Sequence, residues 1–426
     1  FDNNKLADPT TLKGYLKDKN PNRKIDISDY LNKLKGGVLS ISNIVSYANE
    51  IKNCYLRRCL VRISDDIKEN SLNIKIDTSP EDLIERAEES LFNLAEKDKV
   101  DNGPQKFQVT LKLATELIND AYKRGSELPG VDTGFKRLNG FLGGLNKSDL
   151  IVLAGRPSMG KTALATNIAF KAAKSSLENK EPVLFFSLEM SSEQLAQRIL
   201  SEQSGIDSHR IRKGDINENE FSDIVKTQNI IQETPFYIDD TPALSVSQMA
   251  SRARRLKRTE GLKLIVIDYI QLIQSKSPRG PEFRVQEVSA ITRQLKGLAK
   301  ELNIPILALS QLSRAVEQRE DKRPILADLR ESGSIEQDAD VVMFVYREEY
   351  YLDKAQPVQK ENENRETFSE RFKRWEERCE LAHGKAEIIV SKQRHGPTGN
   401  IQIQFESQFT RFLDLIQDNE RPSKDY

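Results

Sequence analysis

The chain has 426 residues, 37% of them apolar and 31% charged, which allows two or three domains with sizeable cores and suits a soluble protein rich in exposed helix. Lysine plus arginine and aspartate plus glutamate balance at 65 each, which excludes a uniformly basic coat and confines any nucleic-acid contact to a local patch. No stretch approaches the ~20 apolar residues of a membrane span and no signal-peptide pattern opens the chain. Three cysteines (Cys54, Cys59, Cys379) supply no disulfide framework, and no second Cys/His pair completes a zinc site, so the expectation is reduced thiols and a cytoplasmic location.

Residues 1–98 show helical patterns and no strand-like alternation. Ser40 to Leu60 carries Ile41, Ile44, Val45, Ala48, Ile51, Tyr55 and Cys59 at helical spacing. Pro80, after Ser79, occupies a helix N1 position, and Leu83, Ala87, Leu91, Leu94 and Ala95 form one stripe behind it. These predict a small all-helical module whose stripes are core; because the chain opens on Phe1, the module is expected to be truncated at its start. A polar linker with a breaker at Asn102-Gly103-Pro104 follows. An isolated amphipathic helix is then predicted over Phe107–Ala121, before the glycines at 125–130. Its stripe, with Val109, Leu113, Leu117 and Ile118, has to be buried on its own chain or on a neighbouring subunit. The expected division is 1–98, a linker over 99–128, and 129–426.

Beyond Gly130, apolar runs at 150–154, 183–188, 236–238, 264–267, 304–309 and 341–345 alternate with helical patterns at 162–175, 193–203, 245–258 and 285–302. Near-continuous apolar strands separated by helices predict an α/β fold with a mostly parallel sheet covered on both faces. Ligands of such sheets sit at the carboxyl ends of the strands.

The first strand end is the most informative. Leu150–Ala154 runs into Gly155-Arg156-Pro157-Ser158-Met159-Gly160-Lys161-Thr162, and a helical pattern follows. This is G-x-x-x-x-G-K-T between a strand and a helix, the context in which backbone N–H groups cradle a phosphate chain. Lys161 would reach the β- and γ-phosphates, and the Thr162 hydroxyl would ligate Mg²⁺. The motif predicts binding of a nucleoside triphosphate, with ATP and Mg²⁺ as the cofactors.

Glu189 follows the next run; Ser191 and Gln194 form a capping-box pattern for the following helix, which leaves Glu189 free to polarise an attacking water or merely to be solvated. Asp268 closes LIVID, a Walker B pattern placing a carboxylate on the metal's water shell. Gln311 ends ILALSQ, positioned to contact a γ-phosphate or simply to satisfy backbone groups. Ser313 to Asp340 then reads as a long charged loop without aromatic residues, including Arg319, Lys322, Arg323 and Arg330. Its composition suits sequence-blind contact with phosphates. A hairpin over 386–391 and 401–405 is predicted to carry Lys392 and Arg394 in its turn, either as cations completing a neighbour's ATP site, as a solvated turn, or as a DNA contact. His209, His383 and His395 lack ligand partners, so no metal is assigned to them.

Taken together, GRPSMGKT, FSLEMSSEQ, IDYIQL, ALSQLSRAVEQREDKRP, DLRESGSIEQDAD and KQRHGPTG stand in order, and the chain resembles the DnaB-type replicative helicases over most of its length. The resemblance implies a RecA-like P-loop motor preceded by a small all-α domain and a linker helix, with the chains closed into a homohexamer around single-stranded DNA. It implies Glu189 as catalytic base, Asp268 as Mg²⁺ carboxylate and Gln311 as γ-phosphate sensor. Lys392 and Arg394 resemble the pair reaching the next subunit's site, and Arg330, Glu331 and Gly333 resemble the DNA-gripping loop, Glu331 through its backbone N–H. The 107–121 helix corresponds to one packing on the adjacent motor, and primase and a helicase loader are implied partners. Unwinding with 5′–3′ polarity comes from the resemblance alone. A RecA/RadA-type recombinase and a nucleic-acid-free ring scaffold are the alternatives. The charged stretch Arg347 to Gly384, with an exposed helix expected over Thr367–Leu381, interrupts the strand pattern and has no assigned role.

Overall fold

In the computed structural model the described residues are 44–73, parts of 80–94, 107–124, 128–176, 180–274, 284–359 and 364–415. The chain divides into two compact units, Phe1–Asn102 and Gly103–Tyr426. In the first, helix α1 (Ile44–Leu72) runs a full three turns beyond the predicted end at Leu60, because nothing in Val61–Leu72 breaks a helix. Its Ile63 and Ile67 face Leu83 and Ala87 of the helical stretch between 80 and 94.

The second unit opens with α2 (Phe107–Arg124), which leaves Phe107, Val109, Ile118 and Tyr122 exposed. Then come α3 (Lys136–Leu142), β1 (Leu150–Gly155), α4 (Lys161–Lys174), β2 (Val183–Ser187), α5 (Ser192–Ser204), α6 (Ser208–Lys213), α7 (Glu218–Ile231), β3 (Phe236–Asp239), α8 (Val246–Thr259) and β4 (Leu264–Asp268). After these follow α9 (Arg284–Leu302), β5 (Ile306–Gln311), α10 (Gly333–Asp338), β6 (Val341–Tyr346), α11 (Glu348–Lys354), α12 (Arg365–Ala382), β7 (Lys385–Gln393), β8 (Gly399–Glu406) and β9 (Arg411–Asp414).

The strands form one sheet in the order β3-β2-β4-β5-β1-β6-β7-β8-β9, parallel from β3 to β6 and antiparallel beyond. β1, β2, β4 and β6 are buried along their whole length, as strands with helices on both faces must be. Ile151, Leu153, Val266 and Leu309 share one cluster with Leu164 and Ile168 of α4. The alternate residues Leu150, Val152, Ile306 and Ala308 are equally buried, and α9 packs on β1 and β5 with Leu295 and Leu298 buried.

Pro305 has no N–H for the ladder, so β5 starts at Ile306 rather than at the expected Ile304, and its pairing continues to Gln311. The predicted structureless loop over 313–340 is instead a chain of short turns: 3₁₀ turns at Arg314–Gln318 and Leu326–Ser332, then α10. The expected insertion helix is present as α12.

Candidate active site

β1 delivers its chain at a topological switch point, between β5 and β6, so the loop after it opens at the carboxyl edge of the sheet. Two residues there adopt left-handed backbone, Ser158 at φ 67° and Gly160 at φ 91°. Gly160 also has no room for a side chain, since a Cβ would lie 2.9 Å from Phe412 Cζ. Gly160 caps α4 without any side-chain hydrogen bond, which leaves the first-turn N–H groups of the helix facing the cradle for an anion.

Lys161 folds back to donate to the Gly155 carbonyl at 2.8 Å. Burial pulls its pKa down to about 8, against the opposing pull of Asp268 and Glu189. Asp268 is 1% exposed, and neither carboxylate oxygen closes a hydrogen bond. Burial pushes its pKa up to about 6; the neighbouring Thr162 hydroxyl and the charges of Lys161 and Arg198 lower it, while Glu189 raises it. A buried carboxylate with both oxygens orphaned beside a threonine hydroxyl is a donor set suited to a hard divalent cation, so these residues fit Mg²⁺. Among the described residues there is no group of three or more His, Cys, Asp or Glu that could hold a metal ion.

Glu189 is exposed, two residues past the point where Ser187 of β2 pairs with Asp268 of β4. The Leu188 N–H donates to the Asp268 carbonyl at 2.8 Å, which ties the two strand ends together. The turn is shaped by the Ser187 hydroxyl donating to Met190 O at 2.7 Å. Ser191 caps α5 by accepting from Gln194 N–H, and Asp240 accepts from Ser192 N–H at 2.8 Å. Gln311 ends β5 beside Gly155 in register.

Three residues that sequence reasoning passed over belong to the same edge. Arg198, on α5, is held among Asp268 and Glu189, and burial lowers its pKa. Gln271 clamps the end of β5 with its amide: Nε2 donates to Ser310 Oγ at 3.0 Å and to Gln311 O at 3.4 Å, and Oε1 accepts from Gln311 N–H at 3.3 Å. Arg347 donates to Ser158 O at 3.4 Å and lies 4.1 Å over the Phe405 ring. Only Gln271 had a signal, its position three residues after the Walker B carboxylate.

Other expected roles divide. Arg156 is 8% exposed, and its guanidinium is committed to Leu312 O and Glu317, both at 2.9 Å; its side chain thus links the phosphate loop to the segment after β5. Pro157 and Met159 complete the loop, Met159 being buried. Arg319 and Arg323, read from composition as phosphate grips, are instead internal braces. Arg319 is bidentate to Asp328 at 2.9 Å on each oxygen, and Arg323 is paired with Glu387. Lys322 lies over the Tyr351 ring. Arg330 and Glu331 fall in the 3₁₀ turn Leu326–Ser332 and Gly333 opens α10; the side chains at 330–334 lie outside the described residues.

Lys392 and Arg394 are not near this chain's own phosphate loop. Lys392 pairs with Val342, which pairs with Val152, three residues before Gly155. That is roughly 10 Å back along the strand direction, at ~3.3 Å per residue. There Lys392 donates to the carbonyls of Ala339, at 2.8 Å, and Glu336, while Arg394 donates to Gln337 O at 3.0 Å. Arg394 also lies 3.4 Å from Asp340 Oδ1.

A mostly parallel sheet with a phosphate loop at its switch point, a buried Walker B carboxylate on the next strand but one, and an antiparallel extension on one side define a RecA-like P-loop ATPase motor. The family profile for the DnaB-like helicase C terminal domain matches residues 130–414. The chain is 42% identical to the replicative DNA helicase DnaB of Rickettsia bellii, over 96% of this chain and 82% of that one. It is 38% identical to the replicative DNA helicase DnaC of Bacillus subtilis, over 91% and 78%. Among solved structures, a DnaB-like replicative helicase described with its interactions with primase aligns at TM-score 0.65 and 29% identity over 97% of this chain and 89% of that one. A second solved chain, an isolated ATPase domain, aligns at TM-score 0.62 and 31% identity, over 74% and 100%. The chain belongs to the DnaB-like replicative helicase family.

Proposed function

We propose that the chain is the ATP-hydrolysing subunit of a replicative DNA helicase, a homohexameric ring that moves on single-stranded DNA and parts the duplex ahead of it. The observation that carries this reading is the orphaned Asp268 carboxylate, set behind a complete phosphate loop in a chain 42% identical to a named replicative helicase. The relatives' names favour this over a recombinase. The working division is a helical domain over 1–98, a linker over 99–128 that carries α2, and a motor over 129–426.

In the motor, the N–H groups of the loop and of the first turn of α4 hold the phosphates, and Lys161 turns from Gly155 O to the β- and γ-oxygens. Thr162 and Asp268 hold Mg²⁺, which when bound neutralises developing charge on the phosphates. Glu189 orients the water and takes its proton. Gln311, its backbone fixed by Gln271, senses whether the γ-phosphate is present and moves the segment that follows, to which Arg156 also attaches through Leu312 and Glu317. Arg330, Glu331 and Gly333 lie further along that segment and hold the DNA backbone. Lys392 and Arg394 act on a second copy's nucleotide, in keeping with their distance from their own loop, and the exposed apolar side chains of α2 support docking on a second copy. Primase and a loader are proposed partners.

Unwinding of a forked substrate with Mg²⁺ and ATP tests this directly. Lys161→Ala should abolish it, and blocking the 5′ or the 3′ tail gives the polarity, 5′–3′ on this reading. Unwinding that survives Lys161→Ala overturns the assignment, as does helical filament formation in place of rings.

A further inference from the structure

The motor reading leaves the stretch between β6 and β7 without a task, yet this stretch builds a cleft. One wall is the extended segment 355–359, with Pro357 and the exposed Val358; the other is α12, presenting Arg371, Arg374 and Arg378 beside Trp375. The cleft has a volume of about 680 Å³, and among the described residues no carboxylate lines it. Positions 371, 374 and 378 share one helix face, so their Cα atoms span about 10 Å along the axis at ~1.5 Å per residue. An extended peptide covers the same length in about three residues.

The walls are fixed. Arg371 reaches across to donate to Val358 O at 2.8 Å, and Trp375 Nε1 donates to Leu352 O at 2.9 Å. Arg374 has its side chain 79% exposed and forms only a long, exposed pair with Glu370 among the described residues, at 3.9 Å. Arg378 pairs with Glu348 at 2.6 Å, at the foot of α11. That foot adjoins the phosphate loop: Arg347 donates to Ser158 O at 3.4 Å, and Glu349 joins Arg347 to His383.

We propose that this cleft binds an acidic peptide segment of a partner protein, and that occupancy is passed to the phosphate loop through Glu348 and Arg347. Guanidinium groups recognise carboxylates bidentately, and Pro357 and Val358 add an apolar wall for a flanking side chain. A single-stranded nucleic acid suits the lining poorly. Its one aromatic side chain, Trp375, has its ring 5.3 Å from that of Phe372 and its N–H committed, so it makes a poor stacking platform. A carboxylate captured by Arg378 competes with Glu348 and loosens the foot of α11 beside Ser158. The binding half of the proposal is independent of the helicase reading; the relay half rests on it.

Trp375 is the chain's only tryptophan, so its fluorescence reports on this cleft in the otherwise unmodified protein. A peptide of about ten residues with glutamate at every third position is titrated without nucleotide, alongside oligodeoxythymidine of equal charge. Saturable change with the peptide is expected, about tenfold weaker in Arg374→Glu and unchanged in Lys373→Glu, which alters the same charge on an exposed position of the same helix outside the cleft. No saturable change, an equal or tighter response to oligodeoxythymidine, or equal weakening in both variants overturns the binding site. The KM for ATP at saturating peptide is then expected to change severalfold; a bound peptide that leaves it unmoved overturns the relay and spares the site. A protein without ATPase activity would sink the helicase reading while the fluorescence titration still decided the cleft.

Discussion

Replacing Asp268 by asparagine is expected to stabilise the nucleotide-free protein while abolishing turnover. The carboxylate is buried without a hydrogen bond, and its pKa stands at about 6 against a usual 3.8. An acid whose folded pKa is raised holds its proton more tightly in the folded state. Its contribution to stability is complete below about pH 4 and is lost as pH rises through about 6. Roughly two pKa units at ~1.4 kcal/mol each put the loss at about 3 kcal/mol at pH 8, and about half of that at pH 5. Asp268→Asn removes the ionised form, so it recovers most of this at pH 8. Lys161, already pulled down to about 8, loses a favourable neighbour and returns part of the gain. Thermal unfolding by circular dichroism in EDTA should show a rise of about 5 °C at pH 8 and a smaller one at pH 5. Mg²⁺ with ADP should then stabilise the parent protein more than the variant. A variant no more stable than its parent at pH 8, or one that gains more at pH 5, refutes the argument that this carboxylate is held at a cost for a cation.

Gly160→Ala forces a left-handed φ on alanine and drives its Cβ within 2.9 Å of Phe412 Cζ, so a loss of about 2–3 kcal/mol in unfolding free energy is expected. Stability equal to the parent would mean that the loop is not held as described. Gln271→Ala removes the amide contacts at the end of β5 and should lower kcat for ATP about tenfold while leaving its KM within a factor of two, since Gln271 acts through Gln311. A change in KM alone argues for a nucleotide contact instead. Arg394→Ala should cut turnover by about a thousandfold, and mixing it with the equally inactive Lys161→Ala should restore activity, because each variant supplies what its neighbour lacks. Mixtures that stay inactive count against a shared site.

The carboxyl edge of the sheet was legible because its chemistry follows apolar strand runs directly. Gly155 to Thr162, Glu189, Asp268 and Gln311 stand at the ends of β1, β2, β4 and β5, where the apolar period of each strand breaks off at a polar residue. What stayed hidden depends on distant pairings. The free-looking cations Arg319 and Arg323 are neutralised by Asp328 and Glu387, the latter 64 residues away, and charge counting does not see partners at that separation. α7 does carry a local signal, Asn217 followed by Glu220, and both halves of that capping box form. α3 and α6 are only seven and six residues long, too short for an apolar period to show. β9 is four residues paired with β8, too short for an alternation of its own to show, and it is also held by Asn167 accepting from Phe412 N–H, 245 positions away.

The two edges of the sheet have different tasks on the reading proposed above, and Lys392 joins them. At the carboxyl edge the chain meets its own nucleotide; at the amino end of β6, Lys392 and Arg394 hold the last carbonyls of α10, the helix that Gly333 opens. A helix C-terminus carries partial negative charge, so a cation there is a stabilising cap. A neighbour's γ-phosphate is a stronger attractor than three carbonyls, and the same two cations cannot serve both. On that reading, reaching across the interface would uncap α10, and loss of the γ-phosphate would let the cap re-form. The segment proposed to grip DNA would thereby be tied to two nucleotides: its own through Gln311 at the start, and the neighbour's through Lys392 and Arg394 at the end. In a ring, that arrangement makes the grip of each subunit depend on the state of the next, which is the condition for movement in sequence rather than in unison.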